Sequence, residues 1–115
     1  LRKAILILLI LLPVTAGEAC YRVTDTDRNA LKIIQCESSC QHDVYGDQGK
    51  AFGIAQFHEP TFTEFKEKAN RHELRYESEE DQIWLLKWAI ENGKMKHWTC
   101  ARKLGLISST VEKKQ

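Results

Sequence analysis

With 115 residues, a formal net charge of +1 and 43% hydrophobic residues, the chain has material for one small domain with one core. Residues 20–115 carry equal numbers of basic and acidic side chains. That balance argues against a nucleic acid or an anionic membrane surface as partner.

The N-terminal segment has the pattern of a leader. Arg2 and Lys3 precede the apolar run AILILLILLPV (4–14), and the small residues TAGEA (15–19) follow. A positive start, a short apolar stretch and a small-residue exit make a secretory signal peptide, with cleavage after Ala16 or Ala19. A retained anchor is the rival reading, but the run is shorter than the roughly 20 apolar residues that span a bilayer. A lipidated Cys20 is disfavoured, because Gly17-Glu18-Ala19 lacks the aliphatic and small pair that precedes such a cysteine. The expectation is a leader over 1–19, a domain over 20–107 and a solvated tail, SSTVEKKQ, over 108–115. The mature protein is expected to be a secreted or periplasmic monomer that meets the membrane only through its leader.

The four cysteines are Cys20, Cys36, Cys40 and Cys100, and four cysteines allow three pairings. Cys36, Cys40, His97 and Cys100 also offer the residue types of a tetrahedral zinc site. Export decides for disulfides, since thiols oxidise in the compartments a leader reaches; neither a metal nor another cofactor is expected. Cys36 and Cys40 lie one helical turn apart, where a bond between them would strain the helix. A bond from either to Cys100 closes a loop of about 60 residues, worth about 3–4 kcal/mol in the chain-entropy model.

In chain order, residues 27–40 predict a helix capped by Asp25, Thr26 or Asp27, with Ala30, Ile33 and Ile34 at helical spacing. Glu37 follows Ile33 and Ile34 by four and three residues, which puts a carboxylate on the apolar stripe. Such a group is paired, protonated or functional, because burying its charge is unfavourable. The stretch HDVYGDQGKAFG (42–53) predicts a turn-rich loop with a short hairpin around Gly46-Asp47, and GIAQF (53–57) is an apolar segment interrupted by one amide. Pro60 and Thr61 open a helix bearing Phe62, Phe65 and Ala69. Ser78 with Asp81 predicts a capped start for a helix through IWLLKWAI (83–90), apolar almost all round and stopped by Asn92-Gly93. Residues 94–106 add a short helical stretch. Several helices with little strand make an α-rich, α+β single domain.

Residues 33–62, IIQCESSCQHDVYGDQGKAFGIAQFHEPTF, resemble the core of the lysozyme-like lytic transglycosylases. That family's pattern is a helix ending in Glu-Ser, a loop, Gly-(Leu/Ile)-x-Gln-hydrophobic and a later Thr. Glu37-Ser38, Gly53-Ile54-Ala55-Gln56-Phe57 and Thr61 match it here. The resemblance implies cleavage of peptidoglycan glycan strands, with Glu37 acting as acid and then base and the product ending in a 1,6-anhydro ring. It implies a glycan groove lined by Gln56; Ser38, Tyr45, Gly53, Phe57 and Trp98 are the further substrate-binding candidates, with Tyr45, Phe52 and Phe57 of the type that stacks on sugar faces and Phe52 and Phe57 equally suited to the core. A hydrolytic lysozyme would need a second carboxylate from Asp43, Asp47 or Glu59. A non-catalytic glycan-binding or secreted interaction module is the alternative from another class. The family's late Ala-Tyr-Asn-x-Gly tyrosine, which supports the glutamate, is missing: AIENG (89–93) has Ile90 there, leaving Trp98 or Tyr45 to replace it.

Overall fold

The computed structural model describes Cys20 and residues 27–107. The expected leader (1–19), the expected tail (108–115) and the candidate caps Asp25 and Thr26 lie outside those residues. The described part is α-rich with a small antiparallel sheet, an α+β domain. None of its helices is long and apolar enough to cross a membrane.

Helix α1 spans Arg28–Ser38 and buries Ala30, Ile33, Ile34 and Ser38. It is two residues shorter at its C-terminus than the spacing predicts. Ser39 (φ 52°) and Cys40 (φ 63°) turn left-handed, and their amides donate back to Gln35 O and Ile34 O, the hydrogen-bonded stop that ends many helices. Of the three candidate caps, the described one takes the position but not the bond. Asp27 stands at the cap position without a side-chain cap bond; its carboxylate instead meets Lys87 Nζ at 3.0 Å.

Strands β1 (Tyr45–Gly46), β2 (Ala51–Phe52) and β3 (Phe57–His58) follow, antiparallel and in that order. Gly46 pairs with Ala51 and Phe52 with Phe57. The first turn is the hairpin expected around Gly46-Asp47, closed by a 3₁₀ turn over Asp47–Gly49. Helix α2, Glu59–Lys68, has Glu59 and Pro60 in its first turn and Lys66 and Lys68 in its last, which suits its dipole at both ends. It buries Phe62 and Phe65. Phe57 meets Phe62 and Trp98 edge-on, with ring centroids 5.3 and 5.2 Å apart, a favoured aromatic geometry at the centre of the core.

Helix α3, Glu79–Glu91, starts as predicted, with Ser78 Oγ accepting from the Asp81 amide at 3.2 Å. Its burial is one-sided, although the sequence reads as apolar all round: Gln82, Leu85, Leu86 and Ala89 are buried, whereas Ile83, Trp84, Trp88 and Ile90 are only half covered. The Arg71 guanidinium lies 4.1 Å over Trp84, sheltering one of these side chains. Gly93 (φ 72°) ends the helix. A 3₁₀ turn over Met95–His97 leads to the short helix α4, Thr99–Lys103.

Cys20 bonds Cys40, and Cys36 bonds Cys100. All four cysteines are therefore oxidised, and the Cys36, Cys40 and Cys100 set is no thiolate cluster. The two disulfides place the chain in an oxidising environment. The Cys36–Cys100 bond joins α1 to α4 across 64 residues of sequence, a loop worth about 4 kcal/mol.

Candidate functional site

Glu37 sits in the last turn of α1, at the edge of the buried stripe. The stripe itself continues from Ile33 and Ile34 to Ser38, which is 8% exposed, while Glu37 is half-buried. Its carboxylate has no hydrogen-bond or ion-pair partner among the described residues. Burial pushes its pKa above the ordinary glutamate value, and the ammonium of Lys103 pulls it partly back. A carboxyl in this state holds its proton to higher pH than a solvated one.

The neighbouring Gly53–Gln56 turn is fixed by four side chains. A buried loop must satisfy its backbone polar groups somewhere, and here each group of Ile54 and Ala55 finds a side chain from a different part of the chain. The Ile54 amide donates to His42 Nδ1 at 3.1 Å, and Ser38 Oγ lies 2.7 Å from Ile54 O. The Ala55 amide donates to Gln82 Oε1 at 3.1 Å, and Trp98 Nε1 donates to Ala55 O at 2.7 Å. Because Ser38 follows Glu37 directly, its hydroxyl fastens the turn that carries the carboxylate to this loop.

Gly53 takes a left-handed φ of 91°, and a Cβ there would collide with the Gln82 carboxamide. Its requirement for glycine thus comes from backbone conformation and the close approach of α3. Gln56, also left-handed at φ 52°, folds its side chain back: Nε2 donates to Val44 O at 3.0 Å and Gly53 O at 2.9 Å.

A cleft of about 160 Å³ opens beside this turn, lined by Gln56, Phe57, His58, Thr61, His97 and Trp98. The structure therefore gathers Gln56, Phe57 and Trp98, three of the residues singled out in the sequence, together with the Thr61 of the motif. Glu37, Ser38, Tyr45 and Gly53 do not line it. Phe57 (1% exposed) and Trp98 (3%) are core residues that show the cleft only an edge. Tyr45 is open to solvent at 73% and rests against Phe52, ring centroids 4.8 Å apart. Desolvation holds His97 below the usual histidine range, with Glu64 opposing and Lys96, Lys94 and Lys68 reinforcing the shift. The ring of His97 stands edge-on to Phe65 at 5.0 Å.

Sequence reasoning missed His42 and Gln82. His42 also reaches Glu77 O through Nε2, at 2.7 Å; nothing in its local pattern distinguishes it from a loop histidine. Gln82 was findable. It precedes Leu85, Leu86 and Ala89 at helical spacing, and a lone amide on a buried face has hydrogen bonds to make. It is completely buried, and Nε2 also donates to Phe52 O and Tyr76 O at 3.0 and 2.9 Å.

Ile90, the residue aligned with the missing tyrosine, lines a second cleft, of about 280 Å³, with Asp27, Arg28, Asn29, Ala30, Lys87 and Glu91. That cleft lies at the start of α1, the opposite end from Glu37, so position 90 is not where a supporting side chain for the carboxyl would stand. Comparison with family models, curated proteins and solved structures finds no match to this chain.

Proposed function

We propose that the chain cleaves peptidoglycan glycan strands at the bond between N-acetylmuramic acid and N-acetylglucosamine, with Glu37 as its single catalytic group. The observation that carries this reading is the state of Glu37: half-buried, unpaired among the described residues, and shifted by burial toward the protonated form. A glycosidase needs such an acid near neutral pH, as the hydrophobically placed glutamate of lysozyme illustrates. Fastening of its turn to the Gly53–Gln56 loop through Ser38 supports the same reading, since a catalytic group must be held in place.

In the proposed reaction Glu37 gives its proton to the departing glycosidic oxygen. The 6-hydroxyl of the muramic acid then attacks its own anomeric carbon and returns a proton to the Glu37 carboxylate, so the product carries a 1,6-anhydro ring. The other carboxylates favour this route over hydrolysis. Asp47 is paired with His58 Nε2 at 2.9 Å. Asp43 is exposed on its loop, and Glu59 occupies the first turn of α2, where a helix dipole explains it.

Mass spectrometry of fragments released from peptidoglycan by the exported protein tests the reading. Anhydro-ended fragments are expected, and none from Glu37→Gln. Reducing ends would make water the acceptor, and an undiminished Glu37→Gln with native circular dichroism would remove the catalytic role.

A further inference from the structure

The Cys36–Cys100 disulfide holds the helix that carries Lys103 against the end of α1 that carries Glu37. Cys36 precedes Glu37 in the last turn of α1, and the disulfide to Cys100 holds the two cysteine Cα atoms 5.9 Å apart. Residue 103 stands one turn beyond Cys100 on α4 and therefore shares its face. Lys103 is exposed and makes no ion pair among the described residues. The segment that presents it, KMKHWTCARK (94–103), has Lys94, Lys96, Arg102 and Lys103 and no carboxylate.

A general acid acts in its neutral form, so a productive Glu37 gives the neighbouring ammonium no counter-charge. That leaves near the acid a positive charge that no described residue meets in an ion pair. We propose that Lys103 is a specificity-determining residue that selects glycans carrying a free carboxylate next to the bond cleaved. The proposal rests on the reading of Glu37 as the acid. The substrate carboxylate acts twice. It pairs with the ammonium, and by neutralising it removes the attraction that draws Glu37 toward its ionised form, so binding of the right glycan keeps the acid protonated.

The test uses the exported protein as Glu37→Gln, whose amide mimics the neutral acid and stops turnover. Two probes are compared: glycan strands stripped of their peptides by an amidase, with free lactyl carboxylates, and the same strands after carbodiimide amidation. Glu37→Gln is expected to bind the carboxylate strands roughly three- to tenfold more tightly, with the preference fading as salt is raised. Adding Lys103→Gln is expected to abolish the preference and Lys103→Arg to retain it. Equal affinity for the two probes, a preference that survives Lys103→Gln, or no binding of the carboxylate strands overturns the proposal. Failure of the catalytic reading is separately visible: the wild type then releases no fragments from either probe, while the Lys103-dependent preference persists in the binding measurement.

Discussion

Glu37 is a carboxyl whose surroundings disfavour its charge, and stability and catalysis respond to pH in the same direction. Its folded pKa lies above the ordinary value because of burial, so between the two values the folded chain keeps a proton that the unfolded chain has lost. Stability therefore falls as pH rises through that window, and the loss is constant above it. Below the ordinary value both states are protonated and the effect vanishes. Glu37→Gln removes the titration, so it is expected to melt above the wild type at pH 7 and together with it near pH 3. Thermal denaturation of both proteins across that range checks the sign; a variant less stable at neutral pH would mean that the carboxylate is stabilised by its neighbours. Catalysis by a protonated acid has the same direction. Cleavage is expected to decline as pH rises through the raised value, and Lys103→Gln, by lifting the opposing attraction, to move that decline to higher pH in a pH–rate profile.

Among the elements, the Gly53–Gln56 turn depends most on residues distant in sequence. Gln82→Leu keeps roughly the volume but leaves the buried Ala55 amide without its acceptor and two carbonyls without the Gln82 donor. The expected loss is about 2–4 kcal/mol, read from urea unfolding. Gly53→Ala imposes a left-handed alanine and a collision with Gln82, with an expected loss of about 2 kcal/mol or more; Gly49→Ala, equally left-handed but meeting no atom within 4 Å, is expected to lose about 1 kcal/mol. The difference between the two measures the close approach. The elements themselves were legible, because α1, α2 and α3 each announce a start or an apolar stripe within one turn of sequence. Position 37 was legible only in part: Ile33 and Ile34 define the face, but the stripe continues to Ser38 and Glu37 falls at its edge, half-buried. The early end of α1 was not, since left-handed Ser39 and Cys40 carry no glycine signal. Nor was the pinning of Ile54 and Ala55, whose partners His42, Ser38, Gln82 and Trp98 meet only after the chain has folded. One-sided burial of α3 escaped too, because Trp84 and Trp88 read as core by composition while the packing leaves them half covered.

At the scale of the whole molecule, the two disulfides constrain unequal parts of the fold. Cys20–Cys40 encloses α1 alone among the described elements, with a separation of 20 residues, whereas Cys36–Cys100 spans 64 and encloses the sheet, α2 and α3. In the chain-entropy model their removal raises the freedom of the unfolded chain by about 3 and about 4 kcal/mol respectively. A domain of this size has a total stability of about 5–15 kcal/mol, so either loss is large. The longer loop carries a second effect in the folded state. Without it, α4 is held to α1 by packing, and α4 follows directly on Trp98, whose indole fixes Ala55 O, and carries Lys103. Cys36→Ser/Cys100→Ser is thus expected to lose more stability than Cys20→Ser/Cys40→Ser, and also to loosen the Gly53–Gln56 turn. Urea unfolding gives the first comparison. Hydrogen exchange of the Ile54 and Ala55 amides gives the second, with faster exchange expected in the 36/100 variant than in the 20/40 variant at matched stability. Equal exchange in the two would show that Trp98 and its partners hold α4 in place without the covalent link, and that the bond acts on the unfolded chain alone.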